Sequence, residues 1–127
     1  MTEKLRILVL DDSEIVLNMM ALALSESGFD VATANSLVEF EQRLKEQPPQ
    51  IILTDIQMPD ISGDDICRVL KKKLETGSTP VLLFSTMEES ELADLAERSG
   101  ADGFVSKSAG PEEIVKRIHE LTEEMLF

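Results

Sequence analysis

The sequence is poor in cysteine and has no long uninterrupted apolar segment. Cys67 is the only cysteine, so no disulfide can form within the chain, and a reduced cytoplasmic setting is the expectation. We expect Cys67 itself to be a small buried side chain on a helix. No positively charged segment followed by an apolar stretch indicates a signal peptide, and no apolar run is long enough for a membrane span. These absences favour a cytoplasmic protein.

Basic residues are also scarce. The chain carries 12 Lys and Arg against 25 Asp and Glu, which gives a formal net charge of -13. Non-specific binding to nucleic acid or to an anionic membrane surface depends on clustered Lys and Arg. We therefore expect no direct contact with nucleic acid or with a membrane, and a protein as the partner. We expect the chain to be a monomer or a weak dimer.

A single domain of alternating strands and helices is the expected architecture. The 127 residues are a common length for one domain, predicted here over residues 1–127. The predicted strands span Leu5–Leu10, Asp30–Ala34, Gln50–Thr54, Pro80–Ser85 and Gly103–Ser106. The predicted helices span Ser13–Ser27, Glu39–Glu46, Gly63–Glu75, Glu88–Ser99 and Pro111–Met125. Five strand and helix alternations favour an α/β sandwich around a parallel sheet. The first helix is apolar over a wide arc that comprises Ile15, Val16, Met19, Met20, Ala23 and Leu24.

Acidic residues follow two of the apolar strands directly. Asp11 and Asp12 follow the first strand, and Asp55 follows the third. In open parallel sheets the ligand site lies outside the carboxyl ends of the strands, so we expect these acids to meet there. Carboxylates in a small volume repel one another, and a divalent cation such as Mg²⁺ relieves that repulsion. Ser85 and Lys107 end two further strands at the same edge.

Each of these residues also has an ordinary structural interpretation. Asp11, Asp12 and Ser13 could simply cap the first helix, because their side chains can accept hydrogen bonds from its free amides. Asp55 alone could be a turn residue before the Pro and Gly of the following loop. The combination of three acids, a hydroxyl and an ammonium at one sheet edge favours the interpretation as a site for metal-assisted phosphoryl chemistry.

Because these residues occur in this order at the ends of successive strands, the whole chain resembles the receiver domains of two-component response regulators. It resembles in particular single-domain regulators similar to chemotaxis regulators. The resemblance implies a flavodoxin-like (βα)5 fold, a doubly wound five-stranded parallel sheet of order 2-1-3-4-5 with helices on both faces. It implies that Asp55 accepts a phosphoryl group from a sensor histidine kinase or a phosphotransfer protein. Asp12 and Asp11 resemble the family's metal-binding pair, and the backbone carbonyl of Gln57 would complete, with Asp55, the protein ligands of Mg²⁺.

The resemblance also implies how the protein responds to phosphorylation and which surface a partner protein recognises. Ser85 would bond the phosphoryl oxygens and Lys107 would pair with their charge, while Thr86 and Phe104 occupy the family's switch positions. The output surface in such proteins is formed by the fourth helix, the fifth strand and the fifth helix. In this chain that surface includes Phe104, Lys116 and Arg117. A phosphorylation-controlled protein-binding switch is therefore expected, which catalyses its own phosphorylation and dephosphorylation but turns over no external substrate.

Three departures from the family pattern affect the expected site. The family usually has proline after its lysine, whereas here Lys107 precedes Ser108, and a cis bond without proline costs about 3 kcal/mol. We therefore predict a trans peptide and a rearranged loop at this point. Thr86 is larger than the small residue that is usual after the serine. Gln57 and Met87 occupy variable positions that influence the lifetime of the phosphoryl group in this family.

Other function classes fit the residues less well. A flavodoxin-like cofactor binder should not place Asp11 and Asp12 where a phosphate would bind, and a nucleotide-binding enzyme would need GxxxxGK[ST] or GxGxxG after the first strand. A dehalogenase-type phosphatase typically has a second acid two residues after its nucleophile, where this chain has Gln57. One alternative stays open, a receiver-like interaction module that is not phosphorylated in use.

Overall fold

The computed structural model describes residues 4–58 and 79–126. The strands are β1 (Arg6–Leu10), β2 (Asp30–Ala34), β3 (Ile51–Asp55), β4 (Val81–Ser85) and β5 (Gly103–Ser106). The helices are α1 (Glu14–Glu26), α2 (Leu37–Glu46), α3 (Glu89–Ser99) and α4 (Pro111–Leu126). The helix predicted over residues 63–75, and with it Cys67, lies outside the described residues, so α3 and α4 correspond to the fourth and fifth predicted helices.

The five strands form one parallel sheet in the order β2-β1-β3-β4-β5. This arrangement confirms the predicted flavodoxin-like fold. β1, β3 and β4 are central, and their apolar residues are buried because both faces of the sheet are covered. On one face the core is formed with α2 and α3 around Phe40 and Leu92, and on the other with α1 and α4 around Met20 and Ile118.

The helix ends lie within two residues of their predicted positions, for identifiable local reasons. Ser13 caps α1, with its hydroxyl oxygen accepting a hydrogen bond from the amide of Val16 at 3.3 Å. α2 begins at Leu37, two residues earlier than predicted, because Ser36 caps it and accepts from the amide of Glu39. α1 ends before Gly28, whose positive φ of 101° lets the chain turn into β2 without strain.

The predicted apolar arc of α1 is buried only in part: Met20 and Leu24 face the sheet, whereas Ile15 and Met19 do not. The residues that α1 buries against the sheet are Leu17, Met20 and Leu24, spaced three and four apart as a helix face requires. Ile15 is instead 82% exposed, and Met19 is exposed as well. The sequence contains apolar residues around most of this helix, so the pattern alone does not distinguish the buried face from the solvent face.

A single turn of 3₁₀ helix, Lys107–Ala109, connects β5 to α4. The described backbone contains no cis peptide bond, so the bond between Lys107 and Ser108 is trans, as predicted. Gly110 follows with φ of 87° and ψ of 156°, a conformation that favours glycine, and α4 then begins at Pro111. The connection therefore redirects the chain into α4 while Lys107 stays at the carboxyl edge of the sheet.

Candidate functional site

The same type of hydrogen-bonded turn occurs at the ends of four strands. A side-chain oxygen at the strand end accepts a hydrogen bond from the backbone amide two residues further on, which turns the chain away from the sheet. The pairs are Asp11 with Ser13 (2.9 Å), Asp55 with Gln57 (3.1 Å), Ser85 with Met87 (3.1 Å) and Ser106 with Ser108 (3.2 Å). These turns hold polar side chains at the carboxyl edge of β1, β3, β4 and β5.

Three carboxylates converge at this edge. Asp11, Asp12 and Asp55 each offer an oxygen, and these oxygens lie within 4.8 Å of one another. Asp11 and Asp55 are buried, whereas Asp12 is exposed. The neighbouring positions of Leu10 and Thr54 in the paired strands β1 and β3 explain why Asp11 and Asp55 lie side by side.

The donors of this cluster suit a hard divalent cation. Carboxylate oxygens are the ligands that Mg²⁺ prefers, and it usually keeps several waters, which the exposed side of Asp12 leaves room for. Asp11 Oδ2 is buried yet makes no aligned hydrogen bond. A buried carboxylate oxygen in that condition is compensated by positive charge, either an ammonium or a metal ion. The acid cluster is therefore compatible with Mg²⁺.

Lys107 supplies the positive charge that the structure shows. Its Nζ lies 2.7 Å from Oδ2 of Asp11 and 3.5 Å from Oδ1 of Asp55. The same ammonium lies 5.1 Å from the centre of the Phe84 ring, within the range of a cation–π interaction. Lys107 lies at the predicted edge, but its nearer contact with Asp11 and its contact with Phe84 could not be predicted from the sequence, since both depend on the path of a long side chain.

Burial raises the pKa of the Asp55 carboxyl above its ordinary value of 3.8. The hydrogen bond from the Gln57 amide and the charge of Lys107 oppose this rise, while the charges of Asp11 and Asp12 add to it. Loss of solvation is the largest of these effects. The ionised carboxylate of Asp55 is therefore destabilised by its burial, and additional positive charge beside it would stabilise it.

The two oxygens of Asp55 have different surroundings. Oδ1 accepts the hydrogen bond from Gln57 and faces Lys107. Within the part of the chain that the structure describes, no hydrogen bond or ion pair is recorded for Oδ2. Among residues 4–58 and 79–126, Asp55 thus has one oxygen held by its own turn and by Lys107 and the other without a partner.

The remaining predicted site residues lie around this centre. Ser85 is buried at the end of β4, next to β3, and its hydroxyl oxygen accepts from the amide of Met87. Thr86 follows with an exposed side chain, and the Gln57 side chain is exposed as well. Phe104, on β5, is half-buried and packs against the core formed with α2 and α3, as expected for an aromatic residue on an edge strand.

Ser106 is a residue that the sequence analysis missed. Its hydroxyl oxygen accepts from the amide of Ser108 and caps the 3₁₀ turn that contains Lys107. A serine two residues before another polar residue, directly after a strand, is a weak signal for such a turn. Only the structure shows that this turn lies beside the acid cluster.

A doubly wound parallel sheet with three acids, a hydroxyl and a lysine at its carboxyl edge defines a class of α/β signalling domains. The sequence model of the response regulator receiver domain matches residues 7–119, and the chain belongs to this family. It is therefore a receiver domain of two-component signal transduction, a signalling switch by family. This assignment confirms the resemblance stated from the sequence.

Curated relatives show the same family. The DNA-binding response regulator MtrA of Mycobacterium tuberculosis is 30% identical over 117 residues, which cover 92% of this chain and 50% of that protein. The transcriptional regulatory protein PhoP of Bacillus subtilis, named for alkaline phosphatase synthesis, is 28% identical over 113 residues, 89% of this chain and 46% of that protein. The chain spans about half the length of these relatives.

Solved structures share the fold. The chemotaxis response regulator CheY4 of Vibrio cholerae superposes with a TM-score of 0.83 at 24% identity, covering 94% of this chain and 99% of that chain. A CheY-like receiver domain protein of Methanospirillum hungatei gives a TM-score of 0.81 at 22% identity, covering 97% of each chain. Within residues 4–58 and 79–126, no helix combines the length and apolar character needed to cross a lipid bilayer.

Proposed function

We propose that Asp55 accepts a phosphoryl group from a phosphohistidine of a sensor kinase or phosphotransfer protein. The observation that carries the proposal is the environment of its carboxylate, which is buried among other acids and faces an ammonium, and whose Oδ2 has no partner among the described residues. In the transfer, Asp55 Oδ2 forms a bond to phosphorus while the bond from phosphorus to the imidazole nitrogen breaks. The electron pair of that bond stays on the imidazole, which then takes a proton from solvent.

A Mg²⁺ ion would be held by Asp11, Asp12 and Asp55, with the backbone carbonyl of Gln57 as a further ligand. The carboxylates fit such an ion because they are close together and carry more negative charge than one lysine balances. When bound, the ion would supply neutralisation of the charge on the transferring group, which is the main requirement of phosphoryl transfer. The position of Asp55 is set independently by its turn and by Lys107.

Ser85 and Lys107 are the residues that would hold the phosphoryl oxygens. The Ser85 oxygen already accepts from the Met87 amide, so its hydroxyl proton is left to donate to a phosphoryl oxygen. Lys107 Nζ lies 3.5 Å from Asp55 Oδ1 and can pair with the added charge. Donation by Ser85 would draw the β4 end toward Asp55, and Thr86 and Phe104 would respond as switch residues.

The downstream partner is proposed to bind the face formed by α3, β5 and α4. Phe104 is half-buried on this face, and Lys116 and Arg117 are exposed on α4. Two basic side chains on an otherwise acidic chain offer a local point of contact for an acidic protein surface. The expectations of a cytoplasmic location and of no direct nucleic-acid contact stay predictions, as does the prediction of one domain over residues 1–127.

The test is phosphorylation by a small phosphodonor in the presence of Mg²⁺, followed by mass spectrometry of the intact chain and of its peptides. We expect one phosphoryl group on Asp55 and none in the Asp55→Asn variant. Asp94→Asn, which changes an exposed acid on α3, is the matched control and should be labelled like the wild type. Undiminished labelling of Asp55→Asn would show that another residue is the acceptor.

The alternative is an interaction module that is not phosphorylated in use. The same variants distinguish it once a partner is available. Partner binding that changes neither with Asp55→Asn nor with phosphorylation of the wild type would favour this alternative over the switch.

A further inference from the structure

Lys107 lies in a short connection that is fixed at both ends. Ser106 pairs with Ser85 in the sheet, which fixes the strand end. At the other end, the carbonyl oxygen of Gly110 accepts a hydrogen bond from the amide of Ile114 at 2.9 Å and joins the connection to α4. The direction in which the Lys107 side chain leaves the backbone is therefore decided within the 3₁₀ turn between these two anchors.

The hydroxyl of Ser106 closes that turn from its N-terminal side. Its oxygen lies 3.2 Å from the amide nitrogen of Ser108, so the hydrogen bond spans the backbone of Lys107. Without this acceptor the Ser108 amide would turn to solvent, and one constraint on the Lys107 dihedral angles would be lost. The ammonium at the end of that side chain lies 2.7 Å from Asp11, a distance that a small backbone rotation would change.

We propose that Ser106 is a positioning residue, which acts through Lys107 to hold the ammonium over the acid cluster. Ser106 contacts neither the acids nor a transferred group in this role. Its effect on phosphorylation rests on the proposed function of Asp55. Its effect on the contact between Lys107 and Asp11 does not, because that contact is present in the unphosphorylated protein.

The first experiment measures the rate of labelling by a small phosphodonor at saturating Mg²⁺ for the full chain. We expect Ser106→Ala to be about fivefold slower, the effect of losing one ordinary hydrogen bond. Ser106→Thr keeps the hydroxyl and should restore the rate. Ser25→Ala, an exposed serine at the far end of α1, is the matched control and should label at the wild-type rate.

A double-mutant cycle separates positioning from a purely structural role. In a Lys107→Ala background there is no ammonium to position, so Ser106→Ala should cause no further slowing. Equal slowing by Ser106→Ala in both backgrounds would overturn the proposal, as would a normal rate for Ser106→Ala or a failure of Ser106→Thr to restore it.

Thermal unfolding of the unphosphorylated chain gives a second, independent measurement. Ser106→Ala should lower the melting temperature of the wild type more than that of Lys107→Ala, because part of its effect passes through the Lys107–Asp11 contact. If the wild type is never labelled, the proposed function fails while this cycle still tests the inference. Equal decreases in both backgrounds would refute the positioning role whatever the labelling result.

Discussion

Replacement of Lys107 by methionine tests the charge balance at the centre of the site. The substitution keeps most of the apolar stem and removes the ammonium that lies 2.7 Å from Asp11 and 3.5 Å from Asp55. The side chains of Asp11 and Asp55 are only 1% and 4% exposed, so the variant leaves two buried carboxylates facing each other without a counter-charge.

The size of the effect follows from this burial. Removing one partner of a buried ion pair costs about 3–5 kcal/mol. Lys107 retains 17% exposure, which places the expected loss near the lower end, at about 3 kcal/mol. For a domain of this size that corresponds to a decrease in melting temperature of roughly 10 °C.

The measurement is urea and thermal unfolding at neutral pH without added metal, followed by circular dichroism. Lys116→Met, an exposed lysine on α4, is the control and should change the free energy of unfolding by less than about 0.5 kcal/mol. Adding Asp11→Asn to Lys107→Met should recover part of the loss, since one of the two unbalanced charges is then removed. A Lys107→Met variant as stable as the wild type would mean that solvent, rather than the ammonium, compensates the buried acids.

Three further predictions concern the metal, the acceptor and the output face. Mg²⁺ at ten times its dissociation constant should stabilise the wild type by about 1.4 kcal/mol and should not stabilise Asp12→Ala. Asp12→Lys should stabilise the metal-free chain and block phosphorylation by the small phosphodonor. Equal increases in melting temperature with Mg²⁺ for the wild type and Asp12→Ala would exclude the shared site. Because burial raises the pKa of Asp55, the contribution of this carboxyl to the free energy of unfolding should fall as pH rises from 3.8 through the raised pKa. Asp55→Asn should therefore be more stable than the wild type at neutral pH and should lose this advantage in acid. A pH-independent difference in the free energy of unfolding would contradict this prediction. Phe104→Ala and Lys116→Ala should weaken partner binding severalfold, measured by calorimetry, while labelling of Asp55 continues, and lost labelling would place these residues in the site instead.

The sequence was sufficient to predict the sheet and the residues at its carboxyl edge. Short apolar runs that end in Asp11 and Asp55 favour buried parallel strands with acids at their ends, and the strand pairing brings those ends together. The side-chain partners were not predictable to the same degree. Lys107 can reach several acids from its position, and the structure was needed to show that Asp11 is the nearest.

The exposure of Ile15 illustrates the other limit. Apolar residues occur on nearly all sides of α1, and the structure buries Leu17, Met20 and Leu24 against the sheet. A periodicity argument has no means to select among nearly equivalent faces.

The pairing of β1 with β3 makes the chemistry of the chain dependent on its folding. Asp11 and Asp55 are far apart in the sequence and become neighbours only when these two strands hydrogen-bond to each other. A newly synthesised or partly unfolded chain has an isolated aspartate with ordinary solvation and no neighbouring lysine, and such a carboxylate is a poor phosphoryl acceptor. Since the two strands lie inside the sheet, we expect them to be among the last elements to separate during unfolding. Under the proposed function, Asp55 can therefore accept a phosphoryl group only in molecules in which β1 and β3 are paired.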